Sequence, residues 1–167
     1  SASTESPLIE LDFQPEITTQ VASRFVAEGD AFVDGLTVSV SKGTWIHLGG
    51  NPIEVTATGT LYGPFDEQPT EADTPPAGAP VAGTESVTLT GAGSYTSPGT
   101  IVAPESGFYT WVWSIDKTAH GENAKYLTDS FTDRFGQVTE TSVVLFQPEA
   151  VSEADQRLAV PGDALTD

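Results

Sequence analysis

The sequence predicts an all-β protein, an antiparallel, immunoglobulin-like β-sandwich of about seven strands. Apolar and polar residues alternate with a period of two in segments 32–40 and 53–62, as in strands buried on one face. Gly, Pro, Asn and Ser punctuate such runs at short intervals. No segment keeps a helical period for long. Short strands separated by frequent turns are typical of sandwich folds.

The strand signal recurs along the whole chain, and two long connections interrupt it. β-Branched and aromatic residues predict strands at 17–26, 32–40, 53–62, 85–90, 93–97, 108–115 and 138–146. Residues 66–80 are acidic and rich in Pro, so we expect an exposed loop between strands. Residues 116–130 form a second polar connection.

Composition favours a secreted domain that does not bind nucleic acid. The 167 residues fit one domain, and their net charge of −18 argues against nucleic acid, which needs clustered Lys and Arg. No apolar run is long enough to insert into a membrane. With no Cys, a secreted domain cannot use disulfides. The polar first residues lack a signal peptide, so we expect a piece of a longer chain.

An internal echo predicts a tandem repeat. The sequence FQPE at 13–16 recurs at 146–149, and at the same offset GDA at 29–31 recurs at 162–164. We therefore expect residues 1–12 to be the tail of a preceding repeat or a linker. Residues 13–147 would form one complete repeat, and 148–167 the truncated start of the next.

Catalytic and metal-binding motifs are scarce. His47 and His120 do not lie in a metal-ligand spacing, and no nucleophile elbow or phosphate-binding glycine loop is present. The acidic residues are scattered and form no D-x-D-x-D-G calcium loop. We expect no metal, no cofactor and no conventional enzyme, and keep a calcium-rigidified linker as an alternative.

Aromatic residues offer the strongest alternative, a binding module. Trp111, Trp113 and Tyr109 share one face of a predicted strand, and Trp45 lies elsewhere. Exposed rings could bind carbohydrate or a host protein. The alternation with Thr110, Val112 and Ser114 favours a buried core stripe instead.

Four short segments resemble a known family: ITT at 17–19, FVDGLTV at 32–38, GTLYGPF at 59–65 and TETSVV at 139–144. In this order they are similar to repeat domains of Gram-positive and actinobacterial surface adhesins, including VaFE-type domains. The resemblance implies a sandwich in which a Thr of the first strand can be joined to a Gln of the last strand by an intramolecular ester bond.

Carried over to this sequence, the resemblance implies a specific set of cross-link residues. Thr18 takes the place of the ester-forming Thr, with Thr19 as the alternative, and Asp34 that of an acidic helper. The acceptor falls on Glu140 where the family has Gln. A different register would make Gln137 or Gln147 the acceptor.

Two further family positions depart from the pattern. The family's Glu falls near Trp113 or Ser114, and its His falls near Thr132. A Lys-based isopeptide bond is disfavoured, because Lys42, Lys117 and Lys125 all lie in predicted turns or loops.

The resemblance and the echo together lead us to expect a stalk or spacer repeat of a cell-wall-anchored, extracellular adhesin. Its partners would be neighbouring repeats of the same chain, with a host or surface ligand bound through other domains. At most, the domain would perform a single-turnover reaction on itself.

Overall fold

The computed structural model describes residues 11–145 and shows an all-β sandwich, which confirms the predicted fold class. Ten strands and two 3₁₀ helices follow in this order: β1 Gln14–Val21, β2 Asp34–Lys42, β3 His47–Leu48, β4 Asn51–Pro52, β5 Val55–Phe65, β6 Val81–Leu89, β7 Gly93–Thr96, β8 Gly107–Ile115, a 3₁₀ helix Lys117–Tyr126, β9 Phe131–Thr132, a 3₁₀ turn Val138–Glu140, and β10 Thr141–Val144.

Two antiparallel sheets face each other. The smaller has the strand order β1-β2-β7, and the larger follows β10-β8-β5-β6, with β9 pairing the far end of β8. A small hairpin of β3 and β4 stands apart from both sheets. The strand count exceeds the predicted seven because β3, β4 and β9 have two residues each, too few to show an alternating pattern.

Three segments show features that the sequence patterns do not predict. Strand β1 stops at Val21, and the following residues cross to the larger sheet, where Phe25 bridges Val143 of β10 in parallel. The predicted last strand begins as the 3₁₀ turn Val138–Glu140 and becomes extended only at Thr141. In the 66–80 connection, mostly exposed as predicted, Ala72 pairs with Phe135 through two backbone hydrogen bonds of 2.9 Å.

Strand β8 lies at the centre of the core. Its side chains Tyr109, Trp111, Trp113 and Ile115 are fully buried, as predicted for a core stripe. The two indoles stack with centroids 5.3 Å apart, and Tyr109 packs on Phe32 at 4.7 Å. Aromatic rings of this size supply much of the apolar area that stabilises a sandwich.

The chain enters the sandwich at one end and leaves it at the other. We name the end around Phe13 the entry pole, because Phe13 N–H donates to Tyr126 O just beyond the end of β8. We name the opposite end the exit pole, where Val144 of β10 pairs with Gly107, the first residue of β8. The nine residues of β8 separate the poles by about 30 Å.

Gly59 makes room for one of the core indoles. It lies opposite Trp113 in the register of β5 and β8, and a Cβ atom at Gly59 would come within 2.5 Å of the ring. Any residue can adopt the backbone conformation of Gly59, so glycine is needed there only because a side chain would clash with the indole. The Trp113 ring therefore occupies the space that a side chain at residue 59 would fill.

We expect Gly59→Ala to lower the free energy of unfolding by about 1–3 kcal/mol, the usual cost of overpacking a core. Thr58→Ala, at an exposed position of the same strand, should cost less than about 1 kcal/mol. Equilibrium denaturation of both variants measures the difference. Equal stability for the two would show that the indole can move away without cost.

Candidate functional site

Asp34, a buried acid, reaches across the sandwich from one sheet to the other. It begins β2 in the smaller sheet and is fully buried. Trp113 Nε1–H of the larger sheet donates to Asp34 Oδ2 at 2.6 Å, while Ser97 Oγ accepts from the Asp34 N–H at 2.8 Å. The second carboxylate oxygen, Oδ1, is buried without a hydrogen-bond partner.

Strand register decides which threonine of β1 faces this acid. Thr19 lies opposite Leu36, which is buried in the core, and Asp34 is two residues from Leu36 on the same face of β2. Thr19 and Asp34 are thus diagonal neighbours on the inner face. The Thr19 hydroxyl oxygen is buried and without a partner. Thr18 lies on the opposite face of the strand and is exposed. The structure therefore brings Thr19, the alternative candidate, to the buried acids, and does not bring Thr18 there.

Glu140 completes the cluster from the larger sheet. It is the last residue of the 3₁₀ turn before β10, where its N–H donates to Gln137 O at 3.0 Å. The side chain is fully buried, and neither carboxyl oxygen has a hydrogen-bond partner. The tight turn directs Glu140 inward, toward Thr19 and Asp34.

The two carboxyl groups have opposite protonation states at neutral pH. Burial, and next the negative charge of Asp34, raise the pKa of Glu140 to about 10. Burial also raises the pKa of Asp34, but only to about 6, because its contacts with Glu140 and with the Trp113 N–H oppose the rise. Glu140 is therefore a neutral carboxylic acid, and Asp34 is largely a carboxylate.

This arrangement places a hydroxyl, a base and a carboxylic acid in one water-poor site. A hydroxyl becomes a nucleophile when a neighbouring base takes its proton. Glu140 contacts both the Thr19 hydroxyl and the Asp34 carboxyl, so Asp34 is the base nearest to this pair. The protonated Glu140 is an acceptor that can lose water. A carboxylate acceptor would repel the attacking oxygen, so the raised pKa suits this chemistry.

The other predicted candidates lie elsewhere. Gln137 is held by its own loop, where Nε2 donates to Asp133 Oδ1 at 2.8 Å and to Arg134 O at 3.2 Å. Gln147 lies outside the described residues. Trp113 contacts Asp34, a role that the sequence did not reveal because a core Trp carries no sign of its polar partner.

The predicted alternative binding platform has no exposed ring. Trp111 and Trp113 are fully buried, and Trp45 is 7% exposed, with Nε1–H donating to Ile53 O at 2.9 Å. These rings are core residues because the alternating strand turns them inward. A sugar-binding face built from these three side chains is thus absent from the described part of the chain.

Among residues 11–145, no three His, Asp or Glu side chains converge as metal ligands would. Neither helical segment in the same range has the length and apolar character needed to cross a bilayer. No model of a known protein family matches the chain, and no curated protein matches it in sequence.

The carboxyl pair predicts an unusual pH dependence of stability in Thr19→Val, a variant in which the hydroxyl is removed. The folded pKa of Glu140, about 10, exceeds its ordinary value of 4.5, and that of Asp34, about 6, exceeds 3.8. The folded state thus binds these protons more tightly than the unfolded chain. Their contribution is complete below about pH 4 and is lost as the pH rises toward 10.

Urea denaturation of Thr19→Val from pH 4 to pH 10 should therefore show falling stability. Adding Glu140→Gln should remove most of this slope above pH 6, whereas Glu122→Gln, at an exposed acid, should leave it unchanged. An unchanged slope in the Glu140 variant would mean that this carboxyl does not titrate from the folded state.

Proposed function

We propose that this chain is a load-bearing spacer repeat of an extracellular, cell-wall-anchored surface protein, clamped by an ester bond that forms between Thr19 and Glu140. The observation that carries the proposal is the convergence of three buried groups that interact with one another, the Thr19 hydroxyl and the carboxyls of Asp34 and Glu140. The resemblance of segments 17–19, 32–38 and 139–144 to adhesin repeats gives the setting.

The burial of two carboxyls and a hydroxyl in one cluster, with few bonds to the rest of the protein, favours a reactive role over a purely structural one. An unpaired buried hydroxyl or carboxyl costs free energy that an apolar residue of similar size would not. A sandwich selected for stability alone has no use for three such groups side by side. Condensation of Thr19 with Glu140 removes two of them and leaves an ester, which needs no donor.

The proposed reaction is a self-condensation that balances without any co-reactant. Asp34 accepts the proton of the Thr19 hydroxyl as Oγ1 attacks Cδ of the Glu140 carboxylic acid. The tetrahedral intermediate loses the acid's hydroxyl, which takes the proton held by Asp34 and leaves as water. One O–C bond forms, one C–O bond breaks, and Asp34 returns to its carboxylate form.

Fixed geometry makes this condensation favourable inside the fold. In dilute solution water competes with an alcohol for an acyl group and keeps most acids unesterified. Groups held in contact by a folded chain react with effective concentrations of about 10⁵–10⁸ M.

The bond would lie directly in the path of a pulling force. Load enters through β1 near Phe13 and leaves through β10 near Val144, at opposite poles. Thr19 lies on β1, and Glu140 immediately precedes β10. A Thr19–Glu140 ester would therefore shunt the force past residues 20–139, so the two sheets would not need to separate under load.

We expect the intact mass of the 167-residue chain to be one water below the value calculated from its sequence. Thr18→Ala should keep this deficit, because Thr18 is exposed, and Thr19→Ala should abolish it. Glu140→Gln should change the deficit from one water to one ammonia, because an amide acceptor releases ammonia. High-resolution mass spectrometry with peptide mapping measures all four.

Dehydration of the Asp34–Gly35 sequence to a cyclic imide would also remove one water, and the same set of variants distinguishes it. An imide deficit would persist in Thr19→Ala and would not convert to ammonia in Glu140→Gln. Full mass in the unmodified, folded chain would overturn the cross-link.

Stability gives a second test, in which the sign of the change is decisive. An ester joining Thr19 to Glu140 closes a loop of about 120 residues, and its loss should cost about 4–5 kcal/mol by analogy with disulfides. Thr19→Val should then be strongly destabilising, whereas Thr18→Val, on the exposed face, should change little. Without a cross-link, Thr19→Val would be neutral or stabilising, because it removes an unpaired buried hydroxyl.

A further inference from the structure

We infer that successive copies of this domain dock rigidly end to end, with the exit pole of one copy against the entry pole of the next. The inference rests on the tandem arrangement in the proposed function and adds a specific interface to it. The partner that binds the exit pole is a second copy of this domain. Three features support this docking: the short junction between copies, the exposed apolar side chains at both poles, and the distribution of charge.

The junction between copies leaves almost no linker. The echo aligns residue 146 with Phe13, which is fully buried at the entry pole and is the first core residue of the domain. Strand β10 ends at Val144, so Leu145 alone separates it from the first core position of the following copy. One residue spans about 3.5 Å. Two sandwiches joined so closely must touch at their poles.

The exit pole presents apolar side chains without cover. Phe25 is 61% exposed and Leu145 is 57% exposed, and with Val26, Ala27 and Asp30 they line a shallow cleft. Phe25 is fixed there by the backbone bonds of its neighbours Arg24 and Val26 to Val143. A rigidly held, exposed Phe is typical of an interface anchor.

The entry pole offers a cleft of complementary character. Leu48, 46% exposed, lies beside Trp45, Ile46 and Tyr126 around an open depression. The β3–β4 hairpin forms one wall of this cleft and belongs to neither sheet.

Charge adds local pairing between the poles. All three lysines of the chain lie at the entry pole, Lys42 at the end of β2, and Lys117 and Lys125 in the 3₁₀ helix. The exit loops carry Glu28, Asp30 and Glu105. Acids also lie at the entry pole, among them Glu122 in the same 3₁₀ helix as Lys117 and Lys125. Electrostatics would therefore set the orientation of docking more than its strength.

A two-copy chain tests the interface with internal controls. Residues 13–167 are placed directly after residue 145 of a first copy, so that FQPE follows Leu145 as in the natural sequence. Phe25→Asp is made in the first copy alone or in the second copy alone. Only the first copy has its exit pole docked. Leu48→Asp is the mirror test, because only the second copy has its entry pole docked.

We expect small-angle scattering of the unmodified two-copy chain to fit one fixed arrangement. Phe25→Asp should convert it to a distribution of angles and lower its unfolding temperature by about 3–6 °C when placed in the first copy only. Leu48→Asp should do so in the second copy only. Val81→Asp, at a 55% exposed residue of the edge strand β6, should have no effect in either copy, because its partner Tyr62 pairs with Thr110 midway between the poles.

Equal effects in both copies, or flexible scattering from the unmodified chain, would overturn the docking. The intact mass of the same chain reports the ester separately. If scattering shows rigid docking and the chain has its full calculated mass, the interface is supported and the cross-link is overturned. If the mass is lower by two waters and scattering shows a flexible chain, the cross-link is supported and the interface is overturned.

Discussion

The buried acid pair Asp34 and Glu140 is the constraint on which the rest of this structure depends. Two carboxyls enclosed between sheets would repel each other if both ionised, so one must hold a proton, and burial assigns it to Glu140. The Trp113 N–H stabilises the Asp34 carboxylate at 2.6 Å. Gly59 leaves space for that indole. A missing side chain on β5 thus helps to fix the charge state of a site formed by three other elements.

Sequence patterns predicted the sandwich because alternation is a local property. Strands β2 and β5 alternate apolar and polar residues along most of their length, and β8 alternates large apolar residues with smaller ones from Tyr109 to Ile115. Each strand lies close to its predicted position. The site was harder to predict for two reasons. It depends on which of two adjacent strand residues faces the core, and on contacts between residues that are far apart in the sequence. The choice between Thr18 and Thr19 follows from the pairing of Thr19 with Leu36. The 3₁₀ turn that directs Glu140 inward lies within a segment whose composition is that of a strand.

Topology aligns the proposed clamp with the proposed array. Strands β1 and β10 both run from the entry pole toward the exit pole, and the chain after β1 pairs in parallel with β10 through Phe25 and Val143. Forces at the two ends would pull these parallel segments past each other. Their hydrogen bonds would then be loaded together rather than broken one at a time. The Thr19–Glu140 pair spans the same two segments, so a covalent bond there reinforces the contact that is loaded first.

A carboxylic acid acceptor would make the clamp depend on the packing around it. Condensation with an amide releases ammonia, which diffuses away, so the bond cannot re-form from the hydrolysed product by the same reaction. Condensation with Glu140 releases water, and hydrolysis of the ester regenerates the starting acid. The position of this equilibrium is then set by how well Leu36, Trp111 and Trp113 exclude water. Local opening under load would admit water and permit hydrolysis, and refolding would restore both the raised pKa and the bond. As the proposed acceptor, Glu140 would therefore link chemical reversibility to the integrity of the core, which an amide at the same position would not do.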